Sequence, residues 1–69
     1  MKIPIRLHSY GVVIGYGFDT RVFSPHEAMK GASYAKFLYE RQGQPELGKM
    51  ARRVVLRHFA HLARKKAGD

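Results

Sequence analysis

Cysteine is absent from this 69-residue chain, which excludes both a disulfide framework and a thiolate zinc site. Acidic residues are scarce, five against thirteen Lys and Arg, for a formal net charge of +8. They stand at positions 19, 27, 40, 46 and 69, too scattered to suggest paired carboxylates for acid–base work. Long apolar runs are missing too. Val12-Val13-Ile14 is the longest uninterrupted aliphatic stretch, far short of the roughly 18 residues of a membrane span. The opening Met1-Lys2-Ile3-Pro4 carries no apolar h-region, so no signal peptide is read there. A soluble, cytoplasmic protein is expected, with membrane an unfavoured partner.

The chain is nonetheless rich enough in apolar side chains to fold. Its hydrophobic content of 45% and its four Tyr and four Phe argue against a disordered tail. A chain this short buries only about 60% of its unfolded surface, and such domains commonly lean on a staple, a metal or a partner. With no staple available, a homodimer, or folding completed on a partner, is the expected arrangement.

The pattern predicts one α+β domain over residues 1–69, a small antiparallel meander followed by two helices packed on one face. Ile3, Ile5 and Leu7 alternate with Lys2, Pro4, Arg6 and His8, which is the period of a half-buried strand over about 2–8. Pro4 cannot donate to a ladder, which makes this an edge strand or puts Pro4 at an unpaired position. Ser9-Tyr10-Gly11 reads as a turn. Residues 12–18 read as a second strand from their β-branched and aromatic content, with Tyr16 and Phe18 in core or cross-strand packing or, as the alternative, an exposed stacking platform for single-stranded nucleic acid. After Asp19-Thr20, residues 20–23 form a short third strand.

Ser24-Pro25-His26-Glu27 is the sharpest local signal: an N-cap serine, a proline at the first helical position and a glutamate completing a capping box. The first helix is expected over 25–42, stopped by Gly43, with Ala28, Ala32, Ala35 and Tyr39 on its packing side. Pro45 opens a second helix over 45–66. Leu47, Met50, Ala51, Val54, Val55, Phe59 and Leu62 share one broad apolar arc of it, assigned to the core or to a dimer partner. Ala67-Gly68-Asp69 is expected to fray.

The second helix also carries the charge. Residues 45–69 hold seven basic and two acidic side chains, or +5, against six and three, or +3, in residues 1–44. Lys49, Arg53 and Arg57 recur every four residues opposite the apolar arc, Arg64 continues the row, and Arg52, His61, Lys65 and Lys66 broaden it. Like charges at i and i+4 repel by a few tenths of a kcal/mol per pair. A polyanion relieves that repulsion and releases counterions. Arginine, four of the seven cations, favours phosphate or carboxylate through its planar fork. The expected function is therefore non-enzymatic binding of DNA or RNA backbone, with no cofactor. Arg6, His8 and Arg21 are secondary contact candidates. An acidic protein surface is the alternative partner, as for small phage or mobile-element proteins that block or adapt a host protein.

Other constellations carry less. Gly15-Tyr16-Gly17-Phe18 has the glycine–aromatic alternation of an RNA-recognition strand, but Ile14 stands where a basic residue is needed and Asp19 where an apolar one is. The glycines lack phosphate-loop spacing. His58 and His61 lie three apart on the helix, yet no cysteine or nearby acid joins them, and His58 falls inside the apolar arc as a packed imidazole. No metal site is expected. The opening Lys2-Ile3-Pro4-Ile5-Arg6-Leu7 resembles the N-terminal strand of ribbon-helix-helix DNA-binding proteins, in which that strand pairs across a dimer and enters the major groove. About sixteen strand-like residues follow it here before the first helix, which departs from that pattern, and no family is assigned.

Overall fold

A computed structural model describes residues 2–68, with side chains described through Lys65. The architecture is the expected α+β arrangement: an antiparallel sheet in the order β1-β2-β3, then two helices. The strands are β1 (Ile5–His8), β2 (Gly11–Ile14) and β3 (Arg21–Phe23). Helices α1 (Ala28–Arg41) and α2 (Pro45–Gly68) follow. Each strand is shorter than its expected range: β1 begins after Pro4 and β2 ends before Gly15.

Register explains which side chains meet. Ile5 pairs with Ile14 and Leu7 with Val12 across β1 and β2. Val12 pairs with Phe23 across β2 and β3. Facing residues of an antiparallel pair share one side of the sheet, so these apolar groups form the face the helices cover. Arg6, Val13 and Val22 form the other face. The alternation read from Ile3 to Leu7 holds, although burial fades from 3% exposed at Ile3 to 46% at Leu7. β1 is an edge strand and begins just after Pro4, whose carbonyl still accepts from the Gly15 N–H at 3.0 Å. Its partner lies within its own chain, unlike the ribbon-helix-helix strand, which pairs between subunits.

The second strand ends earlier than its composition suggests. Gly15 takes φ 95° and Gly17 φ 61°, so the backbone turns out of the extended region, and Gly17–Asp19 forms a 3-10 turn. Tyr16 and Phe18 therefore do not pack in the core: they are 44% and 102% exposed. The turn is tied to α1, where the Tyr34 hydroxyl donates to the Asp19 carbonyl and Arg41 meets the Asp19 carboxylate at 3.0 Å.

Helix boundaries follow the caps. Ser24 and Glu27 form the capping box, with a 3-10 turn over Pro25–Glu27 leading into α1. At the far end the Gly43 N–H donates to Glu40 and the Gln44 N–H to Tyr39. With Gly43 at φ 77°, this is the Schellman arrangement that glycine permits. α2 extends through Gly68; Asp69 and the side chains of residues 66–68, where fraying is expected, lie outside the described residues.

Ile3, Val12, Ile14, Ala32, Ala35, Leu38, Tyr39, Ala51, Val55 and Phe59 make the core. Small residues set the helix spacing: a Cβ built on Gly48 would lie 2.9 Å from the Lys36 carbonyl oxygen, so α1 and α2 touch backbone to side-chain position there. The apolar arc of α2 is only partly used. Ala51, Val55 and Phe59 are buried and Leu62 is half-buried, whereas Leu47, Met50 and Val54 are 40%, 58% and 43% exposed. The sheet ends at β1, and no fourth strand is present among the described residues to cover that side.

Candidate nucleic-acid interface

α2 is the longest element, and its regular 1.5 Å rise per residue carries the row from Lys49 to Arg64 over about 22 Å. Lys49, Arg52, Arg53, Arg57, His61, Arg64 and Lys65 are all exposed. Burial of Ala51, Val55 and Phe59 in the core turns the opposite side outward, which fixes the direction of Arg53, Arg57 and Arg64. The side chain of Lys66 lies outside the described residues.

Compensation within the molecule is slight. Lys49 lies 3.7 Å from Glu46, an i,i+3 pair whose side chains are 60% and 84% exposed; exposure of that order leaves such a pair worth little. Among the described residues, Arg52, Arg53, Arg57, Arg64 and Lys65 meet no carboxylate within ion-pair distance. The remaining ion pairs, Lys36–Glu40 and Arg41–Asp19, lie on or beside α1. The result is an open cationic ridge that an anion can approach without displacing a resident partner.

The secondary candidates do not join it. Arg6 and His8 alternate with the helix-facing Ile5 and Leu7, so they belong to the open face of the sheet, where the His8 ring stacks on Tyr10 at 4.8 Å. Arg21 stands on β3, its guanidinium donating to the Phe18 and Thr20 carbonyls at 3.2 and 3.0 Å. The three therefore flank other surfaces. His58 is part-buried with Nε2 2.7 Å from the His8 carbonyl oxygen, where the ring nitrogen must donate. That bond joins α2 to the β1–β2 hairpin and makes His58 a structural imidazole. His61 extends the ridge. Among the described residues, no group of three or more metal-ligating side chains comes together, and no helix is long and apolar enough to cross a membrane.

Two further surfaces stand open. One is the flank Leu47, Met50 and Val54, read from the sequence as part of the core or dimer face, which with Ile5 and Arg6 borders a groove beside β1. The other is an aromatic groove between β3 and α1, lined by Phe23, Tyr34 and Phe37 with Arg21 and Lys30. Its signal was available: Lys30, Tyr34, Phe37 and Arg41 recur at i, i+4, i+7 and i+11, one row of a helix. Set against family models, curated proteins and solved structures, the chain matches none of them.

Proposed function

We propose that the protein binds nucleic acid non-enzymatically, laying the cationic ridge of α2 along a phosphate backbone. The observation that supports this is the exposure of Arg53, Arg57 and Arg64 in one row with no carboxylate partner among the described residues. Lys49, Arg52 and Lys65 border the row, and His61 adds a donor. Contacts of this kind position a protein on a strand without reading its sequence. Their strength comes largely from counterion release. Neutralising four phosphates lowers affinity roughly 150-fold between 50 and 200 mM salt.

A salt titration of a mobility shift with mixed DNA and RNA tests the reading. Steep weakening is expected; affinity that does not change with salt refutes it.

A second reading has one observation in its favour. Leu47, Met50 and Val54 expose an apolar strip along the same helix as the cations, which suits an acidic protein surface with an apolar centre. A stoichiometric complex with one protein that survives nuclease treatment distinguishes this reading from the first.

A further inference from the structure

The groove between β3 and α1 is built from aromatic rings in a row. Phe23 and Tyr34 lie 5.6 Å apart at 48°, and Tyr34 and Phe37 lie 6.4 Å apart at 30°. Phe23 and Tyr34 brace against the core at their inner ends. Phe37 does not belong to the core and is 50% exposed. The Arg41 guanidinium stands 5.5 Å from its ring centroid. Phe18, wholly exposed at 102%, projects from the turn beside the groove, where its carbonyl accepts from Arg21.

Charge and rigidity agree with the shape. Arg21 and Lys30 line the groove, and neither meets a carboxylate among the described residues. The nearby acid, Asp19, is occupied by Arg41. Two cations free of carboxylates, Arg21 and Lys30, thus stand beside the rings, and the one nearby pair, Arg41–Asp19, is internally neutralised. The Tyr34 hydroxyl, donating to the Asp19 carbonyl, holds its ring in place. An aromatic surface left open on a 69-residue chain, already oriented and rimmed by positive charge, matches the chemistry of unpaired bases: flat π-faces on an anionic backbone. Paired bases in a duplex hide those faces, so a duplex cannot use the groove.

We infer that this groove is a base-stacking site for single-stranded nucleic acid, with Phe37 as the stacking ring and Arg21 and Lys30 at the backbone. The inference rests on the nucleic-acid reading of the ridge and adds a preference for single strands. The chain contains no tryptophan, so Phe37→Trp installs a unique fluorophore at the site. Titration with a short oligothymidylate should quench it, while a duplex of equal length should not. Phe37→Ala should weaken oligothymidylate binding roughly 10-fold, the loss of one stacked base, and leave duplex binding unchanged, with circular dichroism identical to the native protein. Equal affinity of the native protein and Phe37→Ala for the single strand, or equal losses for both probes, overturns the stacking site and leaves the ridge reading standing. Failure of the native protein to bind either probe at low salt overturns the ridge reading, and the stacking site with it.

Discussion

The Tyr39 hydroxyl lies 3.0 Å from the amide nitrogen of Ile3, a residue 36 positions earlier. It also stands 3.5 Å from the Ile3 carbonyl oxygen, so one buried side chain both accepts from and donates to the backbone that leads into β1. This contact closes the fold, because it ties the start of the edge strand to the middle of the helical layer. Tyr39→Phe keeps the ring and strands the Ile3 N–H in a buried setting, at a cost of about 1–3 kcal/mol. The expected outcome is a melting temperature lower by several degrees, at about 4–8 °C per kcal/mol for a domain this small, measured by thermal circular dichroism.

Gly48 reverses a common expectation. Glycine to alanine inside a helix ordinarily stabilises by about 1 kcal/mol. Here the added methyl would sit 2.9 Å from the Lys36 carbonyl oxygen, and backbone does not yield as a flexible side chain does. Gly48→Ala should therefore destabilise, by about 1–3 kcal/mol as overpacked sites do. Urea unfolding decides the sign, and a more stable variant would contradict the close packing of α1 on α2.

Adjacent valines report the orientation of α2. Val55 is wholly buried and Val54 is 43% exposed. Val55→Ala should cost about 1.5–3 kcal/mol, the worth of burying such a side chain. Val54→Ala should stay within about 0.5 kcal/mol of native. Comparable losses at both positions would mean that the exposed strip is covered in solution, and sedimentation of the native protein would then report a larger mass.

Reversing the ridge separates binding from folding. Arg53 and Arg57 are exposed and meet no carboxylate among the described residues, so Arg53→Glu with Arg57→Glu should leave the thermal transition nearly unchanged. Nucleic-acid binding should fall below detection at physiological salt. At low salt, the dependence of log affinity on log salt should become shallower by about one for each phosphate that the variant no longer neutralises. Retained binding would remove the ridge from the interface.

The features visible in the sequence were those written in short-range chemistry. Ser24-Pro25-His26-Glu27 and Gly43 bound α1 because caps satisfy orphan backbone groups locally. Pro4 bounds β1, which begins at Ile5, because proline cannot donate to a ladder. The cationic row on α2 was legible because a helix repeats every 3.6 residues whatever surrounds it.

Packing between distant elements decided the rest. β-branched and aromatic content carried the reading of the second strand past Ile14, but two glycines at positive φ turn the chain there and expose Phe18. The apolar arc of α2 is set by sequence period, whereas its buried share depends on the elements packed against it, α1 above all. Ala51, Val55 and Phe59 join the core, where α2 packs chiefly on α1, and Met50 is left in solvent. Sequence alone determined where helices begin and end and which way their charges line up, since those follow from bonds between near neighbours. Only the tertiary structure decided which apolar side chains were spent on the core and which aromatic rings were left open, because burial belongs to the assembled surfaces and not to any one element.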